Sequence, residues 1–156
     1  MLFGRQKRHV KRILIVEDEP LVAFDNETMV KGAGYTVVAT VDRVREALAV
    51  LARELAPASE EETEERGIDL VLTDITLTGE RTGIDLAAEA KALGVPVLFA
   101  TAVPPEGAEA LGLGVLLKPY SERRLKAALK VVDQLFDGKV VEAPEGMILY
   151  PPALAA

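Results

Sequence analysis

Glu17 and Asp18, Asp74, Thr101 and Lys118 are far apart in this chain, yet each stands at the carboxyl end of an apolar run. The runs are RILIV before the acid pair, LVLT before Asp74, VLFA before Thr101 and VLL before Lys118, which Pro119 follows. Three carboxylates brought close together raise one another's pKa values unless a cation sits among them. Carboxylates with waters and a substrate phosphate are how proteins usually hold Mg²⁺, so Mg²⁺ is the cofactor these residues suit. With such an ion neutralising an incoming phosphoryl group, Lys118 offers a second cation and Thr101 a hydrogen bond. Asp74, central in the set, is then placed to attack phosphorus and become an aspartyl phosphate.

Each residue also has a plainer explanation. Glu17, Asp18 and Glu19 precede Pro20, and acids ahead of a helix are favoured by its dipole. Asp74 alone suits an Asx-turn, Thr101 a strand end and Lys118 a surface charge. The combination decides between these readings. Unrelated caps would not need the lysine, whereas a lysine at the end of a buried strand needs an acidic partner.

The elements that must position these residues alternate. Strand-like runs at Arg12 to Val16, Tyr35 to Thr40, Asp69 to Thr73, Val97 to Ala100 and Val115 to Leu117 are separated by helix-like stretches. The helices are expected at Leu21 to Lys31, Val44 to Ala56, Ile84 to Leu93 and Glu122 to Phe136. Alternation of this kind argues for βαβ units, and the unbroken apolar strands for a parallel sheet covered by helices on both faces. In the last helix Leu125, Ala128, Leu129, Val132, Leu135 and Phe136 share one face, and Ser121 suits its N-cap. The expected fold is a doubly wound α/β domain with a five-stranded parallel sheet, in which ligands bind beyond the carboxyl ends of the strands.

Length and composition narrow the possibilities. At 156 residues, 49% of them apolar and 28% charged, the chain has the makings of one folded domain. No run approaches the roughly 18 apolar residues of a membrane helix, so a cytoplasmic protein is expected. Without cysteine, and with His9 as its one histidine, it has no thiolate or His-rich metal site. Residues 1–12 carry Arg5, Lys7, Arg8, Lys11 and Arg12 with no acid, leaving 13 basic against 25 acidic residues beyond them. So acidic a body repels phosphate backbones, and nucleic acid is not an expected partner.

Some segments fall outside the alternating pattern. Residues 1–10 read as a basic arm, and residues 57–67 (PASEEETEERG), with five glutamates, as a surface loop. Residues 103–114 (VPPEGAEALGLG) carry two prolines and leave at most a turn or two of helix, so the fourth helix is expected to be short, disordered or absent. Residues 137–156 form a tail with two turn signals, suited to a small hairpin or an arm packed on the body.

ILIVEDEP, LVLTDITLTGERTGIDLA, VLFATA and VLLKPYSERRL together resemble the receiver domain of a two-component response regulator, over residues 11–136. The resemblance implies a flavodoxin-like sheet in the order 2-1-3-4-5. It implies Asp74 as phosphoacceptor, Asp18 as a direct Mg²⁺ ligand, Glu17 acting through water and the backbone carbonyl of Thr76 completing the coordination. Thr101 matches the hydroxyl that reads the phosphoryl group, and Lys118 the lysine that contacts it, followed by a proline whose peptide bond is commonly cis. The implied partner is a sensor histidine kinase or a histidine phosphotransfer protein.

Two departures bear on output. Val115 stands where receivers carry Tyr or Phe, which leaves the threonine-to-aromatic switch without its ring. PVLFATA resembles the PFxFATG signature of single-domain receivers with an altered fourth helix, with Ala102 in place of the glycine. That subclass implies HWE-type kinases and stress signalling.

Three functions follow as expectations. The first is a stand-alone, monomeric phosphoacceptor that signals through protein contacts or as a phosphate sink, since 20 residues after Phe136 are too few for an effector domain. The second is a pseudo-receiver that binds partners without phosphate. The third is an aspartyl-nucleophile phosphohydrolase, disfavoured because such enzymes use an acid two residues after the nucleophile, where this chain has Thr76.

Overall fold

The computed structural model describes residues 9–57 and 65–151. Its elements run β1 (Arg12–Val16), α1 (Pro20–Gly32), β2 (Thr36–Val41), α2 (Val44–Leu55), β3 (Leu70–Thr73), α3 (Gly83–Ala92), β4 (Val97–Thr101), β5 (Gly114–Leu117), α4 (Glu122–Phe136) and β6 (Met147–Leu149). The sheet order is β2-β1-β3-β4-β5-β6. The first five strands are parallel in the expected order 2-1-3-4-5, and β6 adds an antiparallel edge.

Side chains alternate across the sheet and divide the core in two. Leu14, Val16, Val71, Phe99 and Val115 face α2 and α3, where Val50, Leu51, Leu86 and Ala87 meet them. Ile13, Ile15, Leu72, Leu98 and Leu116 face α1 and α4, against Val30, Leu125 and Leu129. The predicted stripe of α4 is buried at Leu125, Ala128, Leu129 and Val132, while Leu135 and Phe136 are only partly covered. Ser121 caps that helix, its hydroxyl accepting the Arg124 amide at 3.2 Å.

Between β4 and β5 the chain makes turns and bends instead of a helix. Pro104 and Pro105 withhold two amide donors there, and Gly112 lies so close to Phe99 that a Cβ would come 2.6 Å from the ring. Ala108 in this segment is fully buried and joins the core on the α2 and α3 face.

Of the two readings of the tail, a small hairpin or an arm packed on the body, the structure shows the second, and the arm adds a sixth strand to the expected five. Residues 139–143 form no strand, and Met147–Leu149 pairs with β5. The pairing requires Gly114, where a Cβ would stand 2.1 Å from the Ile148 carbonyl oxygen. At the other terminus, the His9 and Val10 amides donate to Asp133 at 2.6 and 2.8 Å, and Arg12 pairs with Glu54 at 2.7 Å. The rest of the basic arm, residues 1–8, and the acidic stretch 58–64 lie outside the described residues.

Phe99 is fully buried in the middle of β4, between Thr73 and Val115 in register. Phe99→Ala is expected to cost about 3–5 kcal/mol in urea unfolding; a loss below about 1 kcal/mol would show that this core is not close-packed.

Candidate functional site

Strand register brings the acids together. Val16 of β1 lies opposite Thr73 of β3, so Glu17 and Asp74, each one residue further on, emerge side by side. The Asp74 amide donates to the Val16 carbonyl at 3.0 Å and fixes that junction. On the other flank Thr101 lies opposite Leu117, and the Lys118 amide donates to the Thr101 carbonyl at 3.0 Å. The Lys118–Pro119 peptide is cis.

Ligand atoms of Glu17, Asp18 and Asp74 lie within 4.8 Å of one another. The Lys118 ammonium enters from β5, donating to Asp74 Oδ2 at 2.9 Å and to Glu17 Oε1. The other oxygen of Asp74 accepts the Ile75 amide at 2.6 Å, and the other oxygen of Glu17 the Glu19 amide at 3.2 Å. Glu17 is 3% exposed, and burial pushes its pKa up against the opposing pull of Lys118 and the Glu19 amide. Burial alone would lower the Lys118 pKa, but its hydrogen bonds to Glu17 and Asp74 outweigh that and raise it.

These acids are not helix caps. The N-cap of α1 is Glu19, whose side chain makes no capping bond, and the N-cap of α3 is Thr82, in a reciprocal capping box with Asp85. Between Asp74 and α3 the loop folds back so tightly that a Cβ on Gly83 would lie 2.0 Å from the Asp74 carbonyl oxygen. Only glycine fits.

The remaining sequence candidates border this cluster. Thr101 is buried at the end of β4, and its hydroxyl donates to the Val103 carbonyl at 3.4 Å. Thr76 is exposed in the loop after β3. Asp18 meets the Thr78 hydroxyl at 3.4 Å and, among the described residues, has no cationic partner. One ammonium thus answers Glu17 and Asp74 while a third carboxylate is left uncompensated. That imbalance suits a divalent cation held by Glu17, Asp18 and Asp74.

Asn26 and Tyr120 were not among the candidates. Asn26, 3% exposed on α1, accepts a hydrogen bond from the Tyr120 hydroxyl, tying α1 to the loop that carries Lys118. Burial, with the charges of Glu17 and Asp74 nearby, pushes the Tyr120 phenol up, so it remains a donor. The available sequence signal was an asparagine one turn before the core-facing Val30. Val115, at the position of the switch aromatic, is fully buried between Phe99 and Ile148.

A doubly wound sheet with an acid cluster and a lysine at its carboxyl rim defines a receiver-type signalling domain. The family of response regulator receiver domains matches residues 13–130, and the chain belongs to it. Receiver domains are in general signalling domains with an acidic pocket for Mg²⁺.

The phyllosphere-induced regulator PhyR of Methylorubrum extorquens is 31% identical over 121 residues, which cover 75% of this chain and 41% of that protein. The chain therefore spans well under half the length of this curated relative. The response regulator PhyR from Brucella abortus has 30% identity and a TM-score of 0.61 over 85% of this chain and 51% of its own. A CheY-like receiver domain protein from Methanospirillum hungatei shares the fold, with a TM-score of 0.62 and 24% identity over 83% of this chain and 95% of its own. Among the described residues no helix is long and apolar enough to cross a membrane.

Because folding raises the Lys118 pKa, the folded chain holds this proton more tightly than the unfolded one. Its contribution to stability is complete below the ordinary value of 10.5 and is lost as pH rises through the raised folded value. The urea midpoints of wild type and Lys118→Met are expected to differ steadily from neutral pH to 10.5 and to converge above it. A gap that widens at alkaline pH would contradict the pairing.

Proposed function

We propose that this receiver accepts a phosphoryl group on Asp74 from a sensor histidine kinase, of the HWE type, or from a histidine phosphotransfer protein, in a Mg²⁺-dependent reaction. The observation that carries this reading is Lys118 bonded to both Glu17 and Asp74. The lysine orients the acceptor carboxylate, and it stands where a transferred phosphoryl oxygen would need a counter-charge.

In the transfer an Asp74 oxygen attacks phosphorus in line with the departing histidine nitrogen. The O–P bond forms as the P–N bond breaks, and the nitrogen leaves with the electron pair. Glu17, Asp18, Asp74 and the Thr76 carbonyl are the groups that would hold Mg²⁺, which when bound neutralises charge on the transferring oxygens. Lys118 exchanges a carboxylate contact for a phosphoryl oxygen. Thr101, whose hydroxyl is held weakly by the Val103 carbonyl, turns to the phosphoryl group.

Output runs through protein contacts or by withdrawing phosphate from a relay. A role in stress signalling is supported by the PhyR relatives, one of which, from Bartonella quintana, is described as an anti-anti-sigma factor. The second reading, an interaction module that works without phosphate, is favoured by Val115 and by the missing helix between β4 and β5.

Intact mass after incubation with acetyl phosphate separates the two. We expect a single phosphate adduct that requires Mg²⁺ and disappears in Asp74→Asn; no adduct with any donor would establish the second reading. Asp18→Ala is expected to weaken Mg²⁺ binding about tenfold or more in a calorimetric titration. Unchanged affinity would remove Asp18 from the ligand set.

A further inference from the structure

Two successive amides at the end of β5 are held from opposite sides. The Lys118 amide donates inward to the Thr101 carbonyl at 3.0 Å, and the Leu117 amide, one residue earlier, donates outward to the Gly146 carbonyl at 2.8 Å. Gly146 belongs to the tail, in the turn that leads into β6. The backbone beneath Lys118 is therefore clamped between β4 and a segment that follows the last helix.

The turn is built for that place. Gly146 has φ +84, a conformation that favours glycine, and a Cβ on it would lie 3.2 Å from Arg124 Cδ in the first turn of α4. Arg124 also pairs with Glu145 at 2.9 Å, a solvent-exposed contact that orients the turn more than it stabilises it. Met147 is buried against the α1 and α4 face, and the Tyr150 amide closes the far end of the strand on the Leu113 carbonyl at 3.0 Å. Strand and turn together form a short clasp along β5 whose upper end touches the residue before Lys118.

The geometry points to the Gly146 turn, held by β6, as a positioning element for Lys118, through which the tail sets the rate of phosphoryl chemistry at Asp74. The inference rests on the reading of Asp74 as phosphoacceptor. Its physical basis is that Lys118 must reach two carboxylates and a phosphoryl oxygen from a strand end only four residues long. Misplacement of a reacting group by about 1 Å can cost about 100-fold in rate. Loss of one of the two backbone bonds at that end leaves Lys118 anchored on the β4 side alone.

Two substitutions in the full chain release the clasp at opposite ends. Gly146→Val strains the turn, and Gly114→Val sets a side chain against the Ile148 carbonyl. With acetyl phosphate as donor, and rates referred to the folded fraction, each is expected to slow adduct formation at saturating Mg²⁺ by about threefold to tenfold, leaving the Mg²⁺ half-saturation unchanged. In a Lys118→Ala background, Gly146→Val is expected to add no further slowing, because the turn acts through that lysine. Slowing that adds in full without Lys118 would reduce the tail to a general structural support and overturn the inference. So would both variants matching wild type while wild type forms adduct. Absence of adduct in wild type would instead refute the reading of Asp74.

Discussion

The arrangement of this domain turns on one ammonium group set against three carboxylates. Lys118 reaches Glu17 and Asp74, and among the described residues no cation pairs with Asp18. Like charges at this spacing favour a counter-ion or protonation, and burial, the main cause of the raised Glu17 pKa, pushes that carboxyl the same way. A bound divalent cation would relieve the same repulsion. Under the proposed phosphoacceptor reading, the charge imbalance that suits a cation would equally suit a phosphoryl group, whose oxygens need the same counter-charges.

The rest of the fold can be understood as the apparatus that keeps those groups in place. β1 and β3 lie side by side so that Glu17 and Asp74 leave the sheet together, and both strands are buried along nearly their whole length. Gly83 lets the following loop return against the Asp74 carbonyl, and the Tyr120–Asn26 bond ties the lysine-bearing loop to α1. Rigid strand ends suit a site whose partners arrive from outside. The helix-free segment between β4 and β5 begins directly after Thr101.

Much of this was legible in the sequence because buried parallel strands read as unbroken apolar runs, and residues at their ends can be aligned without knowledge of the loops. The acid cluster and the approach of Lys118 follow from that pattern, the sheet order came with the receiver resemblance, and Pro104 and Pro105 announced the missing helix. The tail was not legible in the same way. Three residues, Met147 to Leu149, carry no periodicity that distinguishes pairing with β5 from pairing with Lys139 to Ala143, and the deciding feature is Gly114, whose missing side chain admits the tail backbone. Asn26 was hidden for a related reason. A single polar residue on a helix declares its partner only when the loop holding Tyr120 is folded against it.

The central claim, that Asp74 is the atom-level acceptor, is tested most directly by borohydride reduction of the phosphodonor-treated protein followed by peptide mapping. An acyl phosphate on Asp74 is reduced to homoserine, so the account predicts that conversion in the peptide from Gly67 to Arg81 and nowhere else. Conversion at Asp18 or Glu17, or phosphate on a serine or threonine with Asp74 intact, would contradict it.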